Sequence, residues 1–220
     1  MKPFLNFHTH NSSANPDEKS IYNLMIKGIE VLPKLENNWI SVGIHPWYID
    51  IENWELDLSK IKKWIDNEQV MAIGECGLDR LAQVSIAQQL LVFEAQVKLA
   101  EQTQKPVIIH CVRAFNELIR WKIQNKPIVP LVVHGFNNKQ EVAQQLLAHG
   151  FYFSLGTALM NPQSNASKVI KVTPIERLFL ENDDRNALIE TVYEAAANHL
   201  EITISELKNQ IWANFATVFK

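Results

Sequence analysis

Short apolar runs that end in a histidine or a carboxylate recur along this chain of 220 residues, and they restrict its fold more than any other feature. Val70-Met71-Ala72-Ile73-Gly74 ends in Glu75, Val107-Ile108-Ile109 in His110, and Leu131-Val132-Val133 in His134. Leu178-Phe179-Leu180-Glu181-Asn182 leads to Asp183 in the same way. A continuous apolar run of this length is the pattern of a strand covered on both faces. Ending it in an ionisable group is poor packing, because a buried charge is costly unless paired or metal-bound. Near the start, Phe4-Leu5-Asn6-Phe7 leads to His8 and His10. These two histidines, two apart on one strand, project to the same side.

The candidate strands are Phe4–His10, Ile21–Lys27, Trp39–His45, Val70–Cys76, Val107–Cys111, Leu131–His134, Phe151–Leu155 and Leu178–Asn182. The second of them also reads as helical. Between them lie amphipathic stretches. Ser85–Gln102 places Ile86, Leu90, Phe93, Val97 and Ala100 on one face, and Asn116–Gln124, Lys139–His149 and Ala187–His199 read similarly. Gly150 suits a C-terminal cap of the third. A last helix, Ser205–Phe219, opens Ser205-Glu206. Strand–helix alternation with eight strands predicts an α/β chain, a compact (β/α)8 TIM-type barrel. An open doubly wound sheet gives a similar alternation. Because 220 residues is short for the barrel, some crossover helices in the first third must be reduced to loops.

No Pro/Gly/Ser-rich linker divides the sequence, so residues 1–220 read as a single domain. A net charge of -3 argues against a broad basic surface coating nucleic acid, while leaving room for a local basic mouth. The apolar runs fall short of the ~18–20 residues of a membrane span. The N-terminal segment lacks the h-region and cleavage site of a signal peptide. Two cysteines make no disulfide framework. A cytoplasmic location, no membrane association and no obligate protein partner are the expectations.

Five of the seven histidines, His8, His10, His45, His110 and His134, end a candidate strand. In a parallel barrel those ends share the face that carries the active site. His149 and His199 sit at helix ends and read as solvated. Four imidazoles (His8, His10, His110, His134) with Glu75 and Asp183 suit two divalent metal ions bridged by a carboxylate. Such a pair, ~3.5–4 Å apart, activates water and clamps phosphoryl oxygens. The N/O donor set suits Zn, Mn or Fe, and Mg less well. All six residues are expected to converge on one cavity.

At these residues the chain resembles the TatD family of metal-dependent deoxyribonucleases, within the amidohydrolase-like barrels. The resemblance rests on Phe7-His8-Thr9-His10, Gly43-Ile44-His45-Pro46, Gly74-Glu75-Cys76-Gly77-Leu78-Asp79, Ile109-His110-Cys111, His134-Gly135-Phe136 and Leu180-Glu181-Asn182-Asp183. The closing Trp212-Ala213-Asn214-Phe215-Ala216 is similar to the family's C-terminal helix. The resemblance implies that His8, His10 and Asp183 hold one metal, His110 and His134 the other, and that Glu75 bridges them. It also implies that Asp183 orients or deprotonates the attacking water. Three positions beside the site depart from the family pattern: Asn182 stands for a usual Thr, Val112 for a frequent Arg, and Arg80 for a common aromatic.

His45 reads either as a phosphate or leaving-group contact or as part of a hydrogen-bonded turn. Trp47 reads as packing more readily than as a base stack. Arg80, Arg113 and Arg185 each follow a ligand-bearing strand. They are candidates for bidentate phosphate contact, with salt bridges to neighbours such as Asp79 and Asp184 as the alternative. Cys76 and Cys111 follow ligands directly and so turn away from them. The expected function is a phosphodiesterase, a 3′ exonuclease-like deoxyribonuclease acting on a DNA single strand or strand end. The alternatives are a related hydrolase of a small phosphoester, lactone or amide, and a non-catalytic binding module.

Overall fold

A computed structural model describes residues 2–35 and 38–219. Three strands come first, β1 (Phe4–Thr9), β2 (Glu18–Met25) and β3 (Asn38–Gly43). Helix α1 (Trp54–Trp64) leads to β4 (Val70–Asp79), α2 (Ile86–Thr103), β5 (Val107–Val112), α3 (Phe115–Asn125) and β6 (Leu131–Val133). The last third is α4 (Gln140–Ala148), β7 (Tyr152–Leu155), α5 (Asn165–Val169), β8 (Leu178–Leu180), α6 (Ile189–Leu200) and α7 (Ile204–Val218).

The eight strands follow one another in the sheet in chain order, and the β1·β2, β3·β4, β4·β5 and β7·β8 ladders are parallel. A parallel bridge between Thr9 and Asp183 joins the end of β1 to the residues after β8. This is the topology of a (β/α)8 barrel. The reduced crossovers fall where the short chain requires them: residues 10–17 and 26–35 contain no helix. The second strand is a strand, beginning at Glu18, three residues before the expected start. Helix α1, which the sequence reading left out, buries only Leu58, Ile61 and Trp64 among charged neighbours.

By contacts the chain divides into two compact units. The first comprises Met1–Tyr22, Glu36–Asn38 and Val133–Lys220, the second Asn23–Leu35 and Trp39–Val132. In the first, Phe7 of β1 stacks on Phe179 of β8 with ring centroids 4.2 Å apart. The buried Tyr193 of α6 donates its hydroxyl to the Leu5 carbonyl at 2.9 Å. Burial pushes this phenol far above its ordinary pKa, so it remains a neutral donor. Helix α7 starts earlier than Ser205-Glu206 suggested. Thr203 is its N-cap, and the Thr203 hydroxyl and Glu206 carboxylate close a reciprocal capping box.

In the second unit, two buried glutamines of α2 pin the strand ends that matter for the site. Gln89 accepts from the Asp79 N–H at 2.7 Å and donates to the Asp79 carbonyl at 2.9 Å. Gln96 accepts from the Ile44 N–H at 2.7 Å and donates back at 3.3 Å. Strand β4 runs three residues past the expected Cys76 and so carries both Glu75 and Asp79. Gly77 permits this, with φ +147° and a Cβ position that would lie 2.0 Å from the His110 carbonyl oxygen. Gly77→Ala should therefore cost more than the ~1–3 kcal/mol of ordinary overpacking. Gly150→Ala, at φ +81° with nothing within 4 Å, should cost only the ~1–2 kcal/mol of left-handed strain. Urea titrations of the two variants test this, and equal losses would contradict it.

Candidate metal-binding clusters

The first unit gathers His8, His10, His134 and Asp183. The Thr9–Asp183 bridge explains how. The Asp183 N–H donates to the His8 carbonyl at 3.1 Å, and the His10 N–H donates to the Asp183 carbonyl at 3.1 Å. Backbone pairing thus brings the carboxylate to the two imidazoles, with Asp183 Oδ1 3.5 Å from Nε2 of both His8 and His10. The His8 and His134 rings lie 4.2 Å apart. One ligand atom each from His8, His134 and Asp183 falls within a 4.8 Å set. Asp183 has φ +54°, a left-handed conformation that Asp and Asn tolerate best among non-glycine residues.

Beside this cluster lies Glu181, fully buried. Its Oε1 accepts from the Gly135 N–H at 2.8 Å and faces His134 Nδ1 at 3.3 Å. Its Oε2 is buried with no hydrogen-bond partner among the described residues. Asn182 is structural: it exchanges hydrogen bonds with Asn6 of β1 and donates to the Ala187 carbonyl. This departure from the family pattern ties β1 to the chain after β8.

The second unit gathers His45, Glu75 and His110, again with one ligand atom each inside a 4.8 Å set. Glu75 is 5% exposed, and its Oε1 lies 2.8 Å from His110 Nδ1 and 3.3 Å from His45 Nε2. Asn23 of β2 holds Glu75 from behind, accepting its N–H at 2.8 Å and donating to Oε2 at 3.3 Å. The two readings of His45 are therefore not exclusive. Its Nδ1 accepts from the Trp47 N–H at 3.1 Å, capping a turn, while Nε2 faces Glu75.

Asp79, which the sequence reading passed over as a functional residue, completes this cluster. Its Oδ2 lies 2.8 Å from His110 Nε2 and accepts the Trp47 indole N–H at 2.7 Å. Its Oδ1 accepts the Leu81 N–H at 2.7 Å. Burial alone pushes the Asp79 carboxyl up, but the hydrogen bonds from His110, Leu81 and Trp47 together hold it below the ordinary carboxylate range. A carboxylate on one imidazole nitrogen fixes the ring and leaves the other, Nδ1, facing Glu75, the usual outer-sphere arrangement of a metal-ligating histidine.

Both clusters fit a divalent cation. Each pairs imidazole nitrogens with carboxylate oxygens, the donor set of Zn, Mn or Fe sites. Among the described residues the buried Glu181 Oε2 lacks a hydrogen-bond partner beside His134, an unmet acceptor that a nearby cation offsets. The cysteines take no part in either cluster: Cys76 and Cys111 are buried, and burial first of all pushes both thiols far above their ordinary pKa.

The arginines separate. Arg80 pairs with Glu117, and Arg185 with Asp184 at 3.3 Å. Arg113 is exposed, and among the described residues it has no ion pair. His199 is half-buried rather than solvated, its Nε2 2.9 Å from the Leu159 carbonyl oxygen.

The topology and the clusters define a (β/α)8 barrel that carries candidate metal ligands. The family described as TatD related DNase matches residues 18–220, and the chain belongs to it. An uncharacterized metal-dependent hydrolase from Buchnera aphidicola is 36% identical over 151 residues, 67% of this chain and 56% of that protein. The chain thus matches little more than half the length of that relative. YabD of Bacillus subtilis, also described as an uncharacterized metal-dependent hydrolase, is 29% identical over 88% of this chain and 82% of its own. A protein of Pantoea described as the 3'-5' ssDNA/RNA exonuclease TatD is 31% identical over 66% of this chain and 57% of its own. Among solved structures, the TatD homolog YjjV from Escherichia coli superimposes with a TM-score of 0.81 at 19% identity, covering 98% and 97% of the two chains. A TatD family hydrolase from Entamoeba histolytica gives 0.76 at 17%, covering 99% and 98%. These two likenesses support the fold. No helix among the described residues is long and apolar enough to cross a membrane.

Proposed function

We propose that this chain is a metal-dependent phosphodiesterase that trims DNA from a strand end. The observation that carries the reading is the pairing of two imidazole–carboxylate clusters with membership of a family described by DNase activity. The relative described as a 3'-5' ssDNA/RNA exonuclease supports the choice of substrate.

In this reading His8, His10, His134 and Asp183 are the cation ligands of the first unit, and Glu75 and His110 those of the second, with His45 beside them. His134 thus groups with His8 and Asp183 rather than with His110, as the resemblance had implied. Divalent cations bound there supply Lewis acidity toward phosphoryl oxygens. Asp183 accepts the proton of the attacking water at Oδ1. Its side chain is 34% exposed, which lets water reach it. Asp79 keeps His110 in one tautomer and orientation. Among the described residues Arg113 has no carboxylate in an ion pair with it, which makes it the first choice among the three arginines for a phosphate contact, followed by Arg80, Arg185 and His45.

The test compares labelled linear single-stranded DNA, the same strand closed into a circle, and a panel of small phosphoesters, lactones and amides, with Mn²⁺ or Mg²⁺ added. The linear strand should be shortened to mononucleotides or short fragments while the circle resists. With about two to four phosphates contacted, log affinity should fall with log salt with a slope of roughly -1.4 to -2.8, at about 0.7 per phosphate. Equal cutting of circle and linear strand rules out the strand-end mode. Turnover of a small ester with neither DNA form cut makes the chain a small-ester hydrolase.

A further inference from the structure

We infer that Trp47, with Leu81 beside it, is a stacking platform for the nucleobase next to the cleaved linkage, an inference that rests on the nuclease reading above. Trp47 is 58% exposed, although tryptophan is highly buried on average, and Leu81 is 57% exposed. Neither is loose. The Trp47 indole N–H donates to Asp79 Oδ2 at 2.7 Å, and the Leu81 N–H donates to Asp79 Oδ1 at 2.7 Å. The Trp47 side chain and the Leu81 backbone are thus held by opposite oxygens of one fully buried carboxylate, the one that also holds His110.

The backbone under Trp47 is fixed as well. Pro46 precedes it, its N–H donates to His45 Nδ1 at 3.1 Å, and its ring meets the His45 imidazole edge-on at 5.7 Å. The Tyr48 ring, on a residue 39% exposed, also lies 5.7 Å from that of His45. With its only polar atom bonded to Asp79, the indole presents to solvent an aromatic surface without a polar group. That surface cannot read a base by hydrogen bonding, yet it stacks on any base. Its separation from His110 is a single carboxylate, which puts a stacked base next to the reacting phosphodiester rather than far along the strand. The platform therefore selects a strand that carries bases while staying indifferent to their sequence.

The experiment measures dissociation constants by fluorescence anisotropy on the Mn²⁺-loaded protein, using phosphorothioate-linked single strands that resist cleavage. Two strands are compared, one with ordinary bases and one with abasic residues at its end. For the wild type the abasic strand should bind about 5- to 160-fold more weakly, the range of one base–aromatic stack. Trp47→Leu should bring this ratio close to one. Trp47→Phe, which keeps a ring but cannot donate to Asp79, should keep most of it.

A Trp47→Leu protein that retains the full ratio overturns the platform. So does a Phe variant that loses as much as the Leu variant, because Trp47 would then act only by holding Asp79. Cleavage of unmodified linear strands, run in parallel, separates the two claims. DNA cut with the ratio near one in the wild type leaves the nuclease reading standing and the platform refuted. A base-dependent ratio without cleavage of any strand does the reverse.

Discussion

Glu75→Gln should empty the cation site of its own cluster and lower turnover well beyond the roughly 10–100-fold that loss of an outer-sphere partner costs. Glu75 sits 5% exposed with Oε1 between His45 and His110 and Oε2 against the Asn23 amide. Gln keeps the volume but removes the charge, and it can place an N–H where a cation or an imidazole lone pair needs an acceptor. The fold should survive, since exchanging a buried charge for a neutral isostere is seldom destabilising when no fixed charge depends on it. The metal-free variant should melt no earlier than the metal-free wild type. Metal analysis carries the decision. A fall to no bound metal makes Glu75 the shared ligand, as the family resemblance implies. A fall to one limits it to the cation of its own cluster. Full occupancy with near-normal turnover rules out a ligand role.

The strand ends were legible because burial and ionisation conflict there. An apolar run such as Val107-Ile108-Ile109 announces a strand, and the histidine that ends it has no packing reason to be there. The same conflict marked Glu75, His134 and Asp183. What local pattern did not carry was where β4 stops. Cys76-Gly77-Leu78 looks like a turn, yet Gly77 continues the strand because its missing Cβ makes room for the His110 carbonyl. With that misread, Asp79 fell outside the strand and its contacts with His110 and Trp47 were invisible. They join residues 47, 79 and 110, which no periodicity links. Glu181 was hidden differently: it was read as part of a strand, and only the tertiary structure shows a buried carboxylate oxygen beside His134. The start of α7 could have been found, because Thr203-Ile204-Ser205-Glu206 has the spacing of a capping box. Trp47 shows the opposite error. A tryptophan beside a proline reads as packing, and its 58% exposure emerges only from the fold.

Asp183→Asn should lower kcat by about 10²- to 10⁴-fold, the range of a lost general base, while changing stability little. Asn is the informative substitution because of the backbone. Asp183 has φ +54°, and its N–H and carbonyl are spent on His8 and His10. Asn accepts that left-handed conformation readily, so the β1 connection persists, whereas Ala would add strain of ~1–2 kcal/mol and confuse loss of chemistry with loss of structure. The amide oxygen can still face the two imidazoles at the position of Oδ1, so part of the metal affinity should remain. Proton acceptance should not. The two contributions separate when kcat is followed at saturating Mn²⁺: added metal restores occupancy but leaves the rate low if Asp183 is the base. Recovery of wild-type kcat at high Mn²⁺ would assign Asp183 to metal retention alone and move the proton acceptor elsewhere. Another carboxylate of the same cluster's surroundings is Glu181, which faces His134 and whose buried Oε2 has no donor among the described residues, and Glu181→Gln would then be the variant to lose the rate.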